Sequence, residues 1–239
     1  MVYCFYILGI AYAERFLLQG GTRQKKGVNM EKYAAVYRII SMFIGYMSGC
    51  ILTAEIVTRR LTGKPCRDLG TTGNPGMANV MAHLGFVPGI LVLAGDLAKT
   101  VLAVAVSMIF FHGTGHIIVY YTALGTTLGH NYPFWQRFHG GKGVATSCAG
   151  YFLCNPVTGL ISMVLGMLVV FATGYLGLGA IVIALSFVPF AFVTDGAEAG
   201  MVAIALAILM LIKHFPAVRG IAKGTTEKVD VLGAIKRKL

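Results

Sequence analysis

Charge is what this chain has least of. Nine acidic residues occur in 239, and charged residues together make up 12%, about half the share of a soluble domain. Tryptophan occurs once, and no tract rich in proline, serine or charge divides the middle of the chain. With no such linker a single membrane domain is expected, and no fixed-period repeat is present. The five cysteines, Cys4, Cys50, Cys66, Cys148 and Cys154, are odd in number and include no C-x-x-C pair. A disulfide framework or thiolate metal site is therefore not expected. H-E-x-x-H and G-x-S-x-G are both missing, which disfavours a zinc peptidase or a covalent serine enzyme. His112 and His116 stand four apart but have no acidic neighbour, and Gly113 and Gly115 loosen the turn. No metal and no cofactor are expected, and no nucleic-acid-binding motif accompanies the net charge of +11.

What the chain has instead is apolar length. Hydrophobic residues make up 56% and mean hydropathy is +0.75. A soluble protein of this size could not hide that much apolar surface, whereas lipid accepts it. A membrane-crossing helix needs about 20 apolar residues at 1.5 Å each. Candidate spans fall at 36–57, 84–111, 115–134, 142–154, 157–174, 176–194 and 200–214. The expected fold is an all-α polytopic membrane bundle of about seven transmembrane helices. The fourth span is short enough to be partial or tilted. The second holds Asp96 and Lys99, and Pro88, Gly89 and Gly95 predict a break or kink there.

Basic residues set the orientation. Arg59, Arg60, Lys64 and Arg67 follow the first span; Arg137 and Lys142 follow the third; and Lys213, Arg219, Lys223, Lys228, Lys236, Arg237 and Lys238 crowd the C-terminus. The alternate loops near 112–116, 154–156 and 195–199 have neither Lys nor Arg. The N-terminus is thus expected outside and the C-terminus in the cytoplasm. Residues 1–35 read as an extension. Segment 2–13 is apolar but too short to span, and it lacks a basic leader and a cleavage site. Arg23, Lys25 and Lys26 would lie on the wrong side, which makes Met30 an alternative start. The membrane domain is assigned to 36–228 and a basic tail to 229–239.

Polar residues near spans are costly, about 2.5–3.5 kcal/mol for a mid-helix Lys, and here they gather in three clusters on the cytoplasmic side. The first runs from Arg67 to Asn79 and contains Thr72, Gly73, Asn74 and Asn79. Its glycines allow close backbone approach and an anion-binding nest, although a plain helix-capping loop reads the same way. The second runs from Gly129 to Thr146 and contains His130, Asn131, Gly140, Gly141, Lys142 and Gly143. Three glycines around one lysine at a helix start suit phosphate, through exposed N–H groups, the helix dipole and a full positive charge. It is not a Walker loop, because Gln136 and Gly143 stand where that motif needs Gly and Ser or Thr. The third is Lys213-His214 with Arg219, Lys223, Gly224 and Glu227, which alone reads as a positive-inside tail. Asp96 and Lys99, three apart on one helix face, read as a structural pair.

Together these residues resemble the PlsY family of bacterial membrane acyltransferases. The long string Gly129-His130-Asn131-Tyr132-Pro133 with Phe138-His139-Gly140-Gly141-Lys142-Gly143-Val144-Ala145-Thr146 carries most of the likeness. Gly73-Asn74-Pro75-Gly76, Asn79-Val80, Asp96, Lys99 and Glu55 add to it, and it covers roughly 36–228. The chain departs from the pattern at Thr71-Thr72, Ala78, Ala82, Gly177 and Ala217. The resemblance implies transfer of a fatty acyl group from acyl phosphate to glycerol 3-phosphate, among membrane lipids in the cell membrane. It implies catalytic roles for Lys142, His214 and Thr72. Substrate-binding roles are implied for Gly73, Asn74, Asn79, His130, Asn131, Gly140, Gly141, Gly143, Arg219 and Glu227. A non-catalytic relative binding anionic lipid or phosphate is the alternative. A small transporter fits less well, since its polar groups should lie at mid-bilayer in repeated halves.

Overall fold

A computed structural model describes residues 33–70, 73–226 and 228, and the described part is helical. Its helices are α1 (Ala34–Gly49), α2 (Thr53–Thr62), α3 (Met77–Leu84), α4 (Phe86–Phe110), α5 (Ile117–Asn131), α6 (Val144–Cys154), α7 (Pro156–Thr173), α8 (Leu176–Asp195) and α9 (Ala197–Ala222). Residues 1–32, Met30 among them, and the tail 229–239 lie outside the described residues. Among the described residues, five stretches are long and apolar enough to cross a membrane: Ala34–Thr62 and helices α4, α7, α8 and α9. The third and fourth expected spans correspond to α5, with 15 residues, and α6, with 11.

The break expected in the second span is not there. Helix α4 is continuous for 25 residues. Pro88 falls in its first turn, where no backbone N–H is needed. Gly95 serves packing instead, since a Cβ there would lie 2.4 Å from the Thr53 methyl. The first span is the one that breaks, at Cys50–Leu52 between α1 and α2. The carbonyl of Ile51 released there accepts a hydrogen bond from Lys99 Nζ at 2.9 Å. A charged group on the neighbouring helix thus satisfies the broken backbone at membrane depth.

Glycine spacing holds α1 against α5. Gly45 and Gly49 on α1 face Gly125 and Gly129 on α5, each pair in G-x-x-x-G spacing. A Cβ on Gly45, Gly49, Gly125 or Gly129 would come 2.2, 2.1, 2.0 or 2.1 Å from the carbonyls of Thr122, Thr126, Met42 and Tyr46 respectively. The two backbones touch, as small-xxx-small packing in lipid requires. Gly125→Ala should therefore lower the detergent-solubilised unfolding midpoint by roughly 3–10 °C, from an overpacking cost of about 1–3 kcal/mol. Thermal scans of both proteins check this.

A second core joins α5, α6, α8 and α9, where Tyr151 stacks on Phe187 with ring centroids 4.4 Å apart. At the end of the bundle holding the start of α1, Arg38 Nη2 donates to Glu198 Oε2 at 2.7 Å. Tyr121 donates to Glu198 and Tyr120 to Asp195, both at 3.0 Å. From that end Ala34–Thr62 runs as one stretch, and α4 to α9 then alternate in direction, so the loop after α2, the turn between α5 and α6, and the last turns of α9 share the opposite end.

Candidate active site

The turn between α5 and α6 is built by backbone bonds. Arg137 and Phe138 take positive φ, 52° and 61°, and reverse the chain. The Gly140 N–H then donates to Asn131 O at 3.2 Å, and the Gly141 N–H to His130 O at 2.9 Å. A Cβ on Gly140 would lie 2.2 Å from His130 O, and one on Gly141 2.1 Å from His130 Nε2 and 2.9 Å from Pro75 O. Gly143, at φ 77°, swings the chain into α6 above Asn131, whose Oδ1 would lie 2.5 Å from an added Cβ.

This geometry corrects the expectation for the glycine pair. The N–H groups of Gly140 and Gly141 are spent inside the turn, so they are not phosphate donors. The open donors come next in the chain. The N–H groups of Lys142, Gly143, Val144 and Ala145 have no acceptor among the described residues, and the first bond into α6 is Ser147 N–H to Gly143 O at 2.9 Å. Helix starts present such unpaired donors, and here they begin at Lys142 in the chain.

Lys142 is partly buried and makes no ion pair among the described residues. Burial without a counter-charge pushes its pKa below the ordinary lysine range. Lys213 likewise has no ion pair among those residues; its Nζ lies 4.2 Å from the centroid of the Tyr132 ring. Beside it, the buried His214 has Nδ1 3.0 Å from Met210 O. A carbonyl only accepts, so Nδ1 carries the proton and Nε2 is left as an acceptor.

Two cavities meet here. A polar one of about 680 Å³ is lined by Glu55, Arg67, Gly73, Asn74, Pro75, Gln136, Arg137, His139, Gly140 and Lys142. A mostly apolar one of about 320 Å³ passes Asn74, Asp96, His130, Lys142, Gly143, Val144, Ala145 and His214, then runs among Gly166, Met167, Val170, Gly179 and Ile183 between α7 and α8. Asn74 and Lys142 border both.

The expected residues divide accordingly. Lys142, Asn74, Gly73, Gly140, Gly143, His130, Asp96 and His214 line a cavity. Asn79 stands behind the first loop, donating Nδ2–H to Leu69 O at 3.0 Å. Asn131 is fully buried beneath Gly143. Gly141 packs against the His130 ring. Lys99 is buried against Asp96. Arg219 is exposed and lines neither of these two cavities. Thr72 and Glu227 lie outside the described residues. Arg67, Gln136, Arg137, His139 and Lys213 fell inside the three sequence clusters but were assigned no substrate-binding role there. Four of them flank glycine motifs already singled out, and Lys213 passed as tail charge. Glu55 holds Arg59 and accepts Cys66 N–H at 2.8 Å, fixing the first loop. Burial pushes the Cys66 thiol up. Gly177 adjoins Ala217 and His214, at 3.3 and 3.5 Å from an added Cβ, and lines the apolar cavity.

The sequence description of the family "Glycerol-3-phosphate acyltransferase" matches residues 39–224. Glycerol-3-phosphate acyltransferase 1 of Lactobacillus johnsonii is 36% identical over 200 residues, covering 84% of this chain and 96% of that protein. The glycerol-3-phosphate acyltransferase of Thermoanaerobacter sp. is 31% identical over 84% of this chain and all of its own length. Among solved structures, the glycerol 3-phosphate form of PlsY, an integral membrane glycerol 3-phosphate acyltransferase, superposes with a TM-score of 0.71 at 27% identity, covering 84% of this chain and 98% of that one. Its lysophosphatidic acid form gives 0.70 at 25% identity, covering 82% and 96%. With the family description spanning the helices and both cavities, this chain belongs to the glycerol-3-phosphate acyltransferase family.

Proposed function

We propose that the chain moves a fatty acyl group from acyl phosphate to glycerol 3-phosphate, releasing lysophosphatidic acid and inorganic phosphate. The observation that carries this reading is the junction of a polar and an apolar cavity at Lys142 and Asn74. A water-soluble phosphate ester and a fatty chain need such unlike chambers, and their reacting atoms must meet where the chambers do. The polar chamber, with Arg67, Arg137 and His139, suits glycerol 3-phosphate. The channel between α7 and α8 suits the acyl tail, entering from the bilayer. Lys142 and the N–H groups opening α6 suit a phosphate at the junction.

The glycerol hydroxyl attacks the acyl carbonyl. The new carbon–oxygen bond forms as the bond from the carbonyl carbon to the phosphate oxygen breaks. The hydroxyl proton passes to His214 Nε2, whose acceptor state fits a general base, or directly to a phosphate oxygen. Phosphate leaves as an anion, so acyl phosphate needs no covalent enzyme intermediate. The protein's share is orientation and charge stabilisation.

The distribution of basic residues supports a site facing the cytoplasm, with the N-terminal end of α1 outside and the end of α9 inside. Helices α5 and α6 reach about 23 and 16 Å at 1.5 Å per residue, short of a core of about 30 Å; in this reading they join the five longer stretches as two further crossings, α6 being the shortest. The carboxylates at the far end and the absence of a repeat support an enzyme over a transporter.

Incubating the purified chain in lipid with acyl phosphate and glycerol 3-phosphate should give lysophosphatidic acid and phosphate in equal amounts. Product from acyl-CoA but not acyl phosphate would overturn the assigned donor. A pH profile adds a second test. Burial penalises the Lys142 ammonium, so the free enzyme loses that proton below the ordinary lysine range. Bound phosphate reverses the penalty. Accordingly kcat/KM should fall on the alkaline side, at a pH below the ordinary lysine range, whereas kcat should fall only at higher pH. Lys142→Arg, charged throughout, should move the fall in kcat/KM upward. An unshifted profile would show that another group titrates.

A further inference from the structure

The charged cluster inside the bundle does more than neutralise itself. Asp96 and Lys99 are 2% and 6% exposed on α4, and His130 on α5 is 4% exposed. Paired with a carboxylate at 2.8 Å, Lys99 is an ammonium, with three N–H donors and no acceptor. Three acceptors surround its Nζ: Asp96 Oδ1 at 2.8 Å, Ile51 O at 2.9 Å and His130 Nδ1 at 2.9 Å. Each N–H therefore has one partner, and the third bond uses the Nδ1 lone pair. An imidazole whose Nδ1 accepts carries its proton on Nε2.

The surroundings hold this arrangement in place. Thr53 Oγ1 donates to the same Asp96 oxygen at 3.2 Å, which lies 3.7 Å from His130 Nδ1. The Nε2 edge of the ring packs on Gly141 and has no acceptor among the described residues, while His130 lines the apolar cavity. His214 is the reverse case: its Nδ1–H is held by a carbonyl and its Nε2 accepts.

We propose that Lys99 is a positioning residue that locks His130 as the Nε2–H tautomer, making His130 a fixed hydrogen-bond donor to a substrate oxygen where the two cavities meet. This rests on the acyl-transfer reading for its substrate, but the tautomer stands apart from it. A donor fixed before substrate arrives stabilises developing negative charge on a carbonyl or phosphate oxygen without reorganising. It also bars His130 from acting as the base.

The test joins a spectrum to a rescue. In ¹⁵N-histidine-labelled protein in lipid nanodiscs, the His130 signals, assigned by their loss in His130→Gln, should show protonated Nε2 and bare Nδ1 throughout neutral pH. The charge-neutral double variant Asp96→Asn/Lys99→Met should show mixed tautomers. Gln can accept from Lys99 and donate at the Nε2 position, so His130→Gln should keep activity within about tenfold of wild type, while His130→Ala loses about 100-fold or more. A wild-type imidazolium or Nδ1–H tautomer would overturn the proposal. So would a folded His130→Gln enzyme as inactive as His130→Ala. Should His130→Gln fail to fold, the double variant assigns the signals and the wild-type spectrum decides. Absence of turnover in wild type would instead count against the acyl-transfer reading, with the spectrum still deciding the tautomer.

Discussion

Lys142→Ala should lower kcat/KM for glycerol 3-phosphate about 1,000-fold and leave the fold intact. Removing one donor from a site that stabilises developing charge costs about 100- to 1,000-fold, and the upper end applies because Lys142 is a full charge in a partly dry site. No carboxylate among the described residues pairs with it. Taking it away therefore leaves no opposite charge stranded, and it relieves the burial penalty on the ammonium. The unfolding midpoint should stay level or rise while turnover collapses. A structural lysine would behave in the opposite way, losing stability along with activity. Steady-state kinetics and a thermal scan on one preparation check both halves.

Gly141→Ala should be nearly as damaging, by a different route. The added methyl would lie 2.1 Å from His130 Nε2 and 2.9 Å from Pro75 O. Neither neighbour can yield cheaply. His130 is held by Lys99 on its other edge, and Pro75 belongs to the loop carrying Asn74. The clash pushes the two substrate-facing loops apart, and a displacement of about 1 Å at reacting groups costs about 100-fold. The expected result is a loss of about 100-fold or more in kcat/KM with a measurable drop in unfolding midpoint. Gly63→Ala is the control. Gly63 has positive φ, at 71°, which Gly141 does not, and nothing lies within 4 Å of the added carbon. It should cost about 1 kcal/mol of stability and leave kinetics within about twofold.

Much of this architecture was legible because lipid makes its demands visible in composition. Six of the seven expected spans match single helices to within a few residues, apart from the C-terminal end of α9, which runs on past His214 to Ala222. The helix break was misplaced for a physical reason. Proline and glycine mark where a helix is permitted to break, and Pro88 sat where proline costs nothing. The break at Cys50–Leu52 carries no such mark; it depends on Lys99 reaching Ile51 O from another helix, a long-range contact that local sequence does not encode. The G-x-x-x-G spacing on α1 and α5 was readable, but only the folded pair shows which glycines face each other.

The site was legible in composition and less so in detail. The lysine among glycines lies at the meeting of two cavities, as a phosphate corner requires. The sequence pattern could not show which N–H groups remain open, because Gly140 and Gly141 spend theirs on the carbonyls of Asn131 and His130. Glycine in this turn serves close packing, and the donors lie just beyond it. Arg219, five residues past His214 on α9, is exposed and lines neither of the two cavities.

The most direct measurement is a structure of this chain with lysophosphatidic acid bound. The account predicts the glycerol phosphate in the polar cavity, the ester carbonyl beside Lys142 and His130, and the tail between α7 and α8 along Met167, Val170 and Ile183. A ligand whose tail lies elsewhere on the bundle, or whose headgroup makes no approach to Lys142, would contradict it.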